Sequence, residues 1–98
     1  MSWSASFHES AELELNDAAG YYDLESPGLG AAFLNDIERA VVNIVGHPEA
    51  APAVSGAVRK RVLARFPYSL LYSVHEDEVR ILAVAHQKRR PFYWRGRT

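Results

Sequence analysis

The chain contains no cysteine, which excludes a disulfide framework and thiolate chemistry. Its start, Met1-Ser2-Trp3-Ser4, lacks the basic and apolar regions of a signal peptide. No apolar run is long enough to span a bilayer, so a soluble cytoplasmic protein with no membrane partner is expected. The four histidines, His8, His47, His75 and His86, form no His-x-x-x-His pair, and a transition-metal site has little support. Gly28-Leu29-Gly30 lacks the preceding strand and further glycine of a dinucleotide fingerprint and reads as a turn before a helix. No serine sits in a nucleophile elbow, and no cofactor is implied. Metal-independent RNA cleavage stays open, because arginine, tyrosine and histidine can supply charge stabilisation and proton transfer.

Basic residues are nearly missing from the first half. Residues 1–50 carry nine acids and one base, Arg39, for a net charge of −8. Residues 51–98 carry ten lysines and arginines against three acids, for +7, so the total of −1 conceals a division. Such asymmetry fits either an anionic partner for the second half or a mutual balance of the two halves.

What is present suits one folded domain over residues 1–98, 48% hydrophobic and large enough for a modest core. Ser4 to Phe7 alternates weakly, as a short strand would. From about Glu9 to Asp23, Ala11, Leu15, Ala18 and Tyr22 recur at helical spacing, with acids near the helix start where the dipole favours them. The carboxylates of this helix read as a solvated face, and Leu13, off the stripe, as a lone surface residue. Ser26-Pro27-Gly28 breaks the helix. Phe33, Ile37, Ala40, Val41, Ile44 and Val45 mark a second helix from about Leu29, stopped by Gly46-His47-Pro48. Residues 49–56 read as an irregular connector without lysine or arginine.

Three strands follow, at Val58–Arg65, Ser69–Val74 and Val79–Ala85. Their short links favour antiparallel pairing. Alternation sets Val62, Ala64 and Phe66 on one face of the first strand and Arg59, Arg61 and Arg65 on the other, which predicts an arginine face open to solvent. Both parities of the last strand are apolar from Ile81 to Ala85, as in a strand covered on both sides. The fold class is therefore α+β, in the order β-α-α-β-β-β, with a helical hairpin packed on an antiparallel sheet. The tail, His86 to Arg97, interleaves five bases with Phe92, Tyr93 and Trp94. At least one of these rings is expected to cap the core and leave the arginines exposed for an anionic surface or nucleic acid. His86, which ends the central strand beside this tail, is the one histidine placed for a functional test, although a lone histidine is more often structural.

The patterns Arg61-x-x-x-Arg65-Phe66-Pro67-Tyr68-x-Leu70-x-Tyr72 and Val79-x-Ile81-Leu82-Ala83-Val84-x-His86-x-x-Arg89-x-Pro91-x-Tyr93-Trp94-x-x-Arg97 resemble the C-terminal half of the RelE/ParE toxin superfamily. Tyr21-Tyr22, Gly28-Leu29-Gly30 and Phe33 through Ile37 resemble its helical half. The resemblance implies the toxin of a type II toxin–antitoxin module, with a cognate antitoxin as partner. One branch cuts messenger RNA on the ribosome; there Arg61, Arg89 and Tyr93 resemble the cleavage residues. The other branch, which includes many plasmid stabilisation proteins, inhibits growth by poisoning DNA gyrase. The connector lacks the lysines of the RNA-cutting branch, leaving only Lys60, which favours the gyrase-directed reading. An inactive member serving only as a binding partner is the third reading. The expected target-binding residues are Arg59, Arg61, Arg65, His86, Arg89, Arg90, Tyr93, Trp94 and Arg97.

Overall fold

The computed structural model describes residues 4–98; Met1-Ser2-Trp3, on which the reading of the chain start rests, lie outside them. The elements run β1 (Ser4–Phe7), α1 (Glu9–Glu25), α2 (Leu29–Gly46), β2 (Ala53–Ser55), β3 (Val58–Val62), β4 (Tyr68–His75) and β5 (Glu78–His86). The expected order holds, with one short strand added in the connector. Within the five-stranded sheet the order is β1-β5-β4-β3-β2. β1 pairs parallel with β5 and the other pairings are antiparallel, so the sheet is mixed. Among the described residues no helix is long and apolar enough to cross a membrane.

Local chemistry sets the helical hairpin. His8 caps α1, its Nδ1 accepting from the Ser10 amide at 3.0 Å. Gly28 turns the chain at φ 87°, a conformation that favours glycine. The Gly30 amide, left without a helical acceptor in the first turn of α2, donates to Asp23 Oδ1 at 2.8 Å. Here the helices cross so closely that a Cβ on Gly30 would lie 2.4 Å from the Ala19 carbonyl oxygen. Below them the rings of Tyr22, Phe33, Phe66 and Tyr68 pack edge-on or tilted. Phe33 is fully buried, with centroids 5.3, 5.2 and 5.1 Å from Tyr22, Phe66 and Tyr68 respectively. These rings tie the hairpin to the sheet.

The two faces of the sheet differ. Leu70, Tyr72, Val79, Ile81 and Val84 face the helices, whereas Leu71 and Ala83 face Trp94 of the tail. A bulge at Leu82 explains the continuous apolar run of β5. Tyr72 pairs with Ile81 and Leu71 with Ala83, which leaves Leu82 as an extra residue. The run therefore contributes to both covered faces, as the sequence suggested.

The arginine face is a correction. β3 ends at Val62, not Arg65. Arg59 pairs with Tyr72 and Arg61 with Leu70, so both lie on the helix side of the sheet. Val62 faces the opposite way and is 56% exposed. The reason is twofold. Leu63 leaves the alternation, its amide bonding the Tyr68 carbonyl at 2.9 Å, and buried Asp36 accepts from the Arg65 amide at 3.2 Å. Arg59 and Arg61 are half-buried, and of the three only Arg65 is exposed. The connector is also less irregular than expected, because β2 pairs with β3.

Candidate functional site

The tail places its residues in three ways. Trp94 is buried, 7% exposed, against Leu71 and Ala83. Phe92 turns out to solvent at φ 60° with the Arg95 guanidinium 4.8 Å from its ring centroid. Tyr93 lies between two guanidinium groups, Arg89 at 3.8 Å and Arg97 at 5.2 Å from its centroid. The expected mixture of buried ring and exposed arginine holds for Trp94, Arg89, Arg90 and Arg95. Arg97 departs from it.

Arg97 and Glu14 form an ion pair that ties the tail to α1. Arg97 Nη1 and Nη2 donate to Glu14 Oε1 and Oε2 at 3.0 and 3.2 Å, in a two-pronged pair with 18% and 16% side-chain exposure. Glu14 Oε1 also accepts from the Val84 amide at 3.0 Å, and Arg97 Nη1 donates to the Leu82 carbonyl at 3.1 Å. Arg89 Nη1 stands 4.0 Å from Glu14 Oε2. Glu14 is thus the exception among carboxylates expected to be solvated. A sign of it was present: Glu14 follows Ala11 by three residues and precedes Ala18 by four, on the edge of the apolar stripe.

A groove of about 230 Å3 opens between the tail and the tail-side face of the sheet. Leu71, Val54 and Ala85 supply apolar surface, and Lys60, Arg89 and Arg90 supply positive charge, with no carboxylate lining it. His86 stacks edge-on to Tyr68 with centroids 5.0 Å apart, and its Nδ1 accepts from the Lys88 amide at 3.0 Å, so this histidine is held in place.

The sequence candidates do not converge on one spot. The structure brings His86, Arg89, Arg90, Tyr93 and Trp94 around this groove. Arg61 lies on the other face, lining a recess with Asp36 and Arg39 of α2. Arg59 Nη1 donates to the carbonyls of Glu49 and Ala51 at 3.0 and 2.6 Å, which anchors the connector. Arg65 sits in the bend after β3.

Tyr93 is constrained further. Its hydroxyl is buried and has no hydrogen-bond partner among the described residues. Burial pushes its phenol well above the ordinary value, and the Glu14 carboxylate, close enough to act on the hydroxyl but outside good hydrogen-bond geometry, pushes it further, against the opposing pull of Arg89 and Arg97. Burial likewise raises the Tyr22, Tyr68 and Tyr72 phenols from 10.0. A raised phenol favours the folded state below the unfolded value, and that contribution is lost as pH rises through the folded value. Absorbance at 295 nm is therefore expected to show these tyrosines resisting ionisation at pH 10 and titrating together with loss of the fold. Their free ionisation in a chain still folded at pH 10 would contradict this packing.

A family model described as ParE toxin of type II toxin-antitoxin system, parDE, matches residues 5–91. The chain belongs to the ParE toxin family. Its fold is similar to that of a chain in the chromosomal ParDE TA system from P. aeruginosa, at a TM-score of 0.74 and 23% identity. That likeness covers 88% of this chain and 96% of the other. No curated protein matches. Most of the ParE-family match precedes the tail, and Phe92 to Thr98 lie beyond it.

Proposed function

We propose that this ParE-family chain is a growth-inhibiting toxin that acts by binding DNA gyrase, without bond cleavage, and that a cognate antitoxin neutralises it. The observation that carries the binding reading is the inward-turned Tyr93. Proton transfer to or from RNA needs a side-chain group within hydrogen-bond reach of the substrate. The Tyr93 hydroxyl is buried, and Arg61 stands on the far face of the sheet from the groove that Arg89 lines. The choice of gyrase rests on the family and on the lysine-free connector. What the tail offers instead is a cationic rim around an apolar groove, the chemistry of a protein-binding hot spot. Action on gyrase also places the toxin in the cytoplasm. An antitoxin suited to the basic half carries acidic or amphipathic segments, and charge attraction speeds its capture of the toxin.

Tyr93→Phe tests the distinction. The substitution removes a buried hydroxyl that lies beside the Glu14 carboxylate without a well-formed hydrogen bond, so stability is expected to change by no more than about 1 kcal/mol. Growth arrest and inhibition of gyrase supercoiling are expected to match the wild type. A folded Tyr93→Phe chain that loses toxicity, together with wild-type cleavage of ribosome-bound messenger RNA, would promote the ribonuclease reading.

A further inference from the structure

We infer that Glu14 is a positioning residue for the tail: its carboxylate takes the place of a missing strand at the edge of β5 and fixes the arginines that the target meets. The inference rests on the reading above that the tail is the target-binding surface. β1 ends at Phe7, opposite Ile81. The His8 amide makes one further bond to the Ile81 carbonyl at 2.8 Å, and the chain then turns into α1. Beyond that point β5 has no strand neighbour on this edge among the described residues, and its backbone groups need other partners.

Glu14 and Arg97 supply them. The carboxylate accepts from the Val84 amide and the guanidinium donates to the Leu82 carbonyl, one acceptor and one donor as a strand would offer. They close on each other as a two-pronged ion pair. The Arg97 side chain thereby spans from the tail to the sheet edge, and α1 is joined to both. The Tyr93 ring meets both Arg97 and Arg89, and Arg89 stands 4.0 Å from the same carboxylate. One partly buried anion therefore orients two cations and the ring between them. The contact joins residues 83 apart in the chain, and it forms at the bulge that the extra residue Leu82 makes in β5. Bulges redirect side chains and end regular pairing, and this one puts the Leu82 carbonyl where Arg97 reaches it.

A positioning role differs from a merely structural one in what a substitution changes. Glu14→Gln keeps the size and an acceptor oxygen for Val84 but removes the charge that holds both arginines. Glu12→Gln, on an exposed turn of the same helix, is the control and is expected to behave as wild type. Three readouts are compared at a temperature well below melting: backbone hydrogen exchange, growth arrest on induction, and inhibition of supercoiling by the purified chain. In Glu14→Gln the Arg95 and Arg97 amides are expected to exchange about tenfold faster, with core amides such as Leu70 unchanged. Potency is expected to fall about tenfold. In an Arg89→Ala background, Glu14→Gln is expected to lower potency by less than about twofold further, because Arg89 is the exposed cation through which Glu14 acts on the target, Arg97 being turned inward.

Faster tail exchange at full potency, or unchanged exchange, overturns the inference. So do fully independent losses in the double variant, which would show that Glu14 acts without Arg89. Growth arrest that depends on Glu14 while supercoiling is untouched overturns gyrase as target and leaves the positioning role standing. A wild-type chain that arrests nothing overturns both.

Discussion

The double variant Arg89→Ala with Arg90→Ala is expected to stay folded and to lose toxicity. Both side chains are exposed at the rim of the tail groove. Arg90 makes no side-chain hydrogen bond or ion pair among the described residues. Arg89 stacks on Tyr93 at 3.8 Å and stands 4.0 Å from Glu14, a contact pattern worth about 1 kcal/mol at a surface site. A loss of about 1 kcal/mol lowers the melting temperature of a domain this size by roughly 4–8 °C. Binding is a different matter. An arginine at the centre of an interface commonly contributes about 2 kcal/mol or more, and each 1.4 kcal/mol is tenfold in affinity, so the pair is expected to weaken target binding by about a hundredfold or more. Melting followed by circular dichroism, growth arrest and supercoiling inhibition read the two effects separately. Full toxicity in the folded double variant would remove the tail from the account.

Phe33→Ala is expected to give the largest loss of stability, roughly 3–5 kcal/mol, the usual range for truncating a buried phenylalanine. Phe33 is 0% exposed and its ring meets Tyr22, Phe66 and Tyr68, one from α1, one from the β3–β4 bend and one from β4. The void cannot close easily, because the helices that would have to move already touch at Gly30, beside the Ala19 carbonyl. Domains of this class have a total stability of about 5–15 kcal/mol, so the variant is expected to be partly unfolded near 37 °C. Urea unfolding checks it: a loss below about 1 kcal/mol would mean that the aromatic cluster does not join the hairpin to the sheet.

The helical hairpin was legible because its signals are local. The spacing of Phe33, Ile37, Ala40 and Ile44 and the stop at Gly46-His47-Pro48 lie within one element, and α2 occupies Leu29–Gly46 as expected. The β4–β5 pairing was legible for the same reason, since the two-residue turn Glu76-Asp77 joins strands that are neighbours in sequence. β2 was missed because three residues cannot display a period. The parallel pairing of β1 joins segments more than seventy residues apart and leaves no local mark. The face of Arg59 and Arg61 was misread for an instructive reason. Alternation was extended through Arg65 although regular pairing stops at Val62, and Asp36 on a distant helix shapes that bend. Of the site, the composition of the tail was legible. That Arg97 turns inward to Glu14, and that the Tyr93 hydroxyl faces the interior, depends on how the tail crosses the edge of β5.

On the reading proposed above, this ParE-family chain binds gyrase and breaks no bond itself. The most direct measurement adds the purified wild-type chain to purified gyrase and relaxed plasmid, and in parallel to translating ribosomes with a defined messenger. Dose-dependent loss of supercoiling, reversed by the Arg89→Ala/Arg90→Ala substitutions, and an intact messenger are expected. Unimpaired supercoiling together with messenger cut at defined codon positions would contradict it.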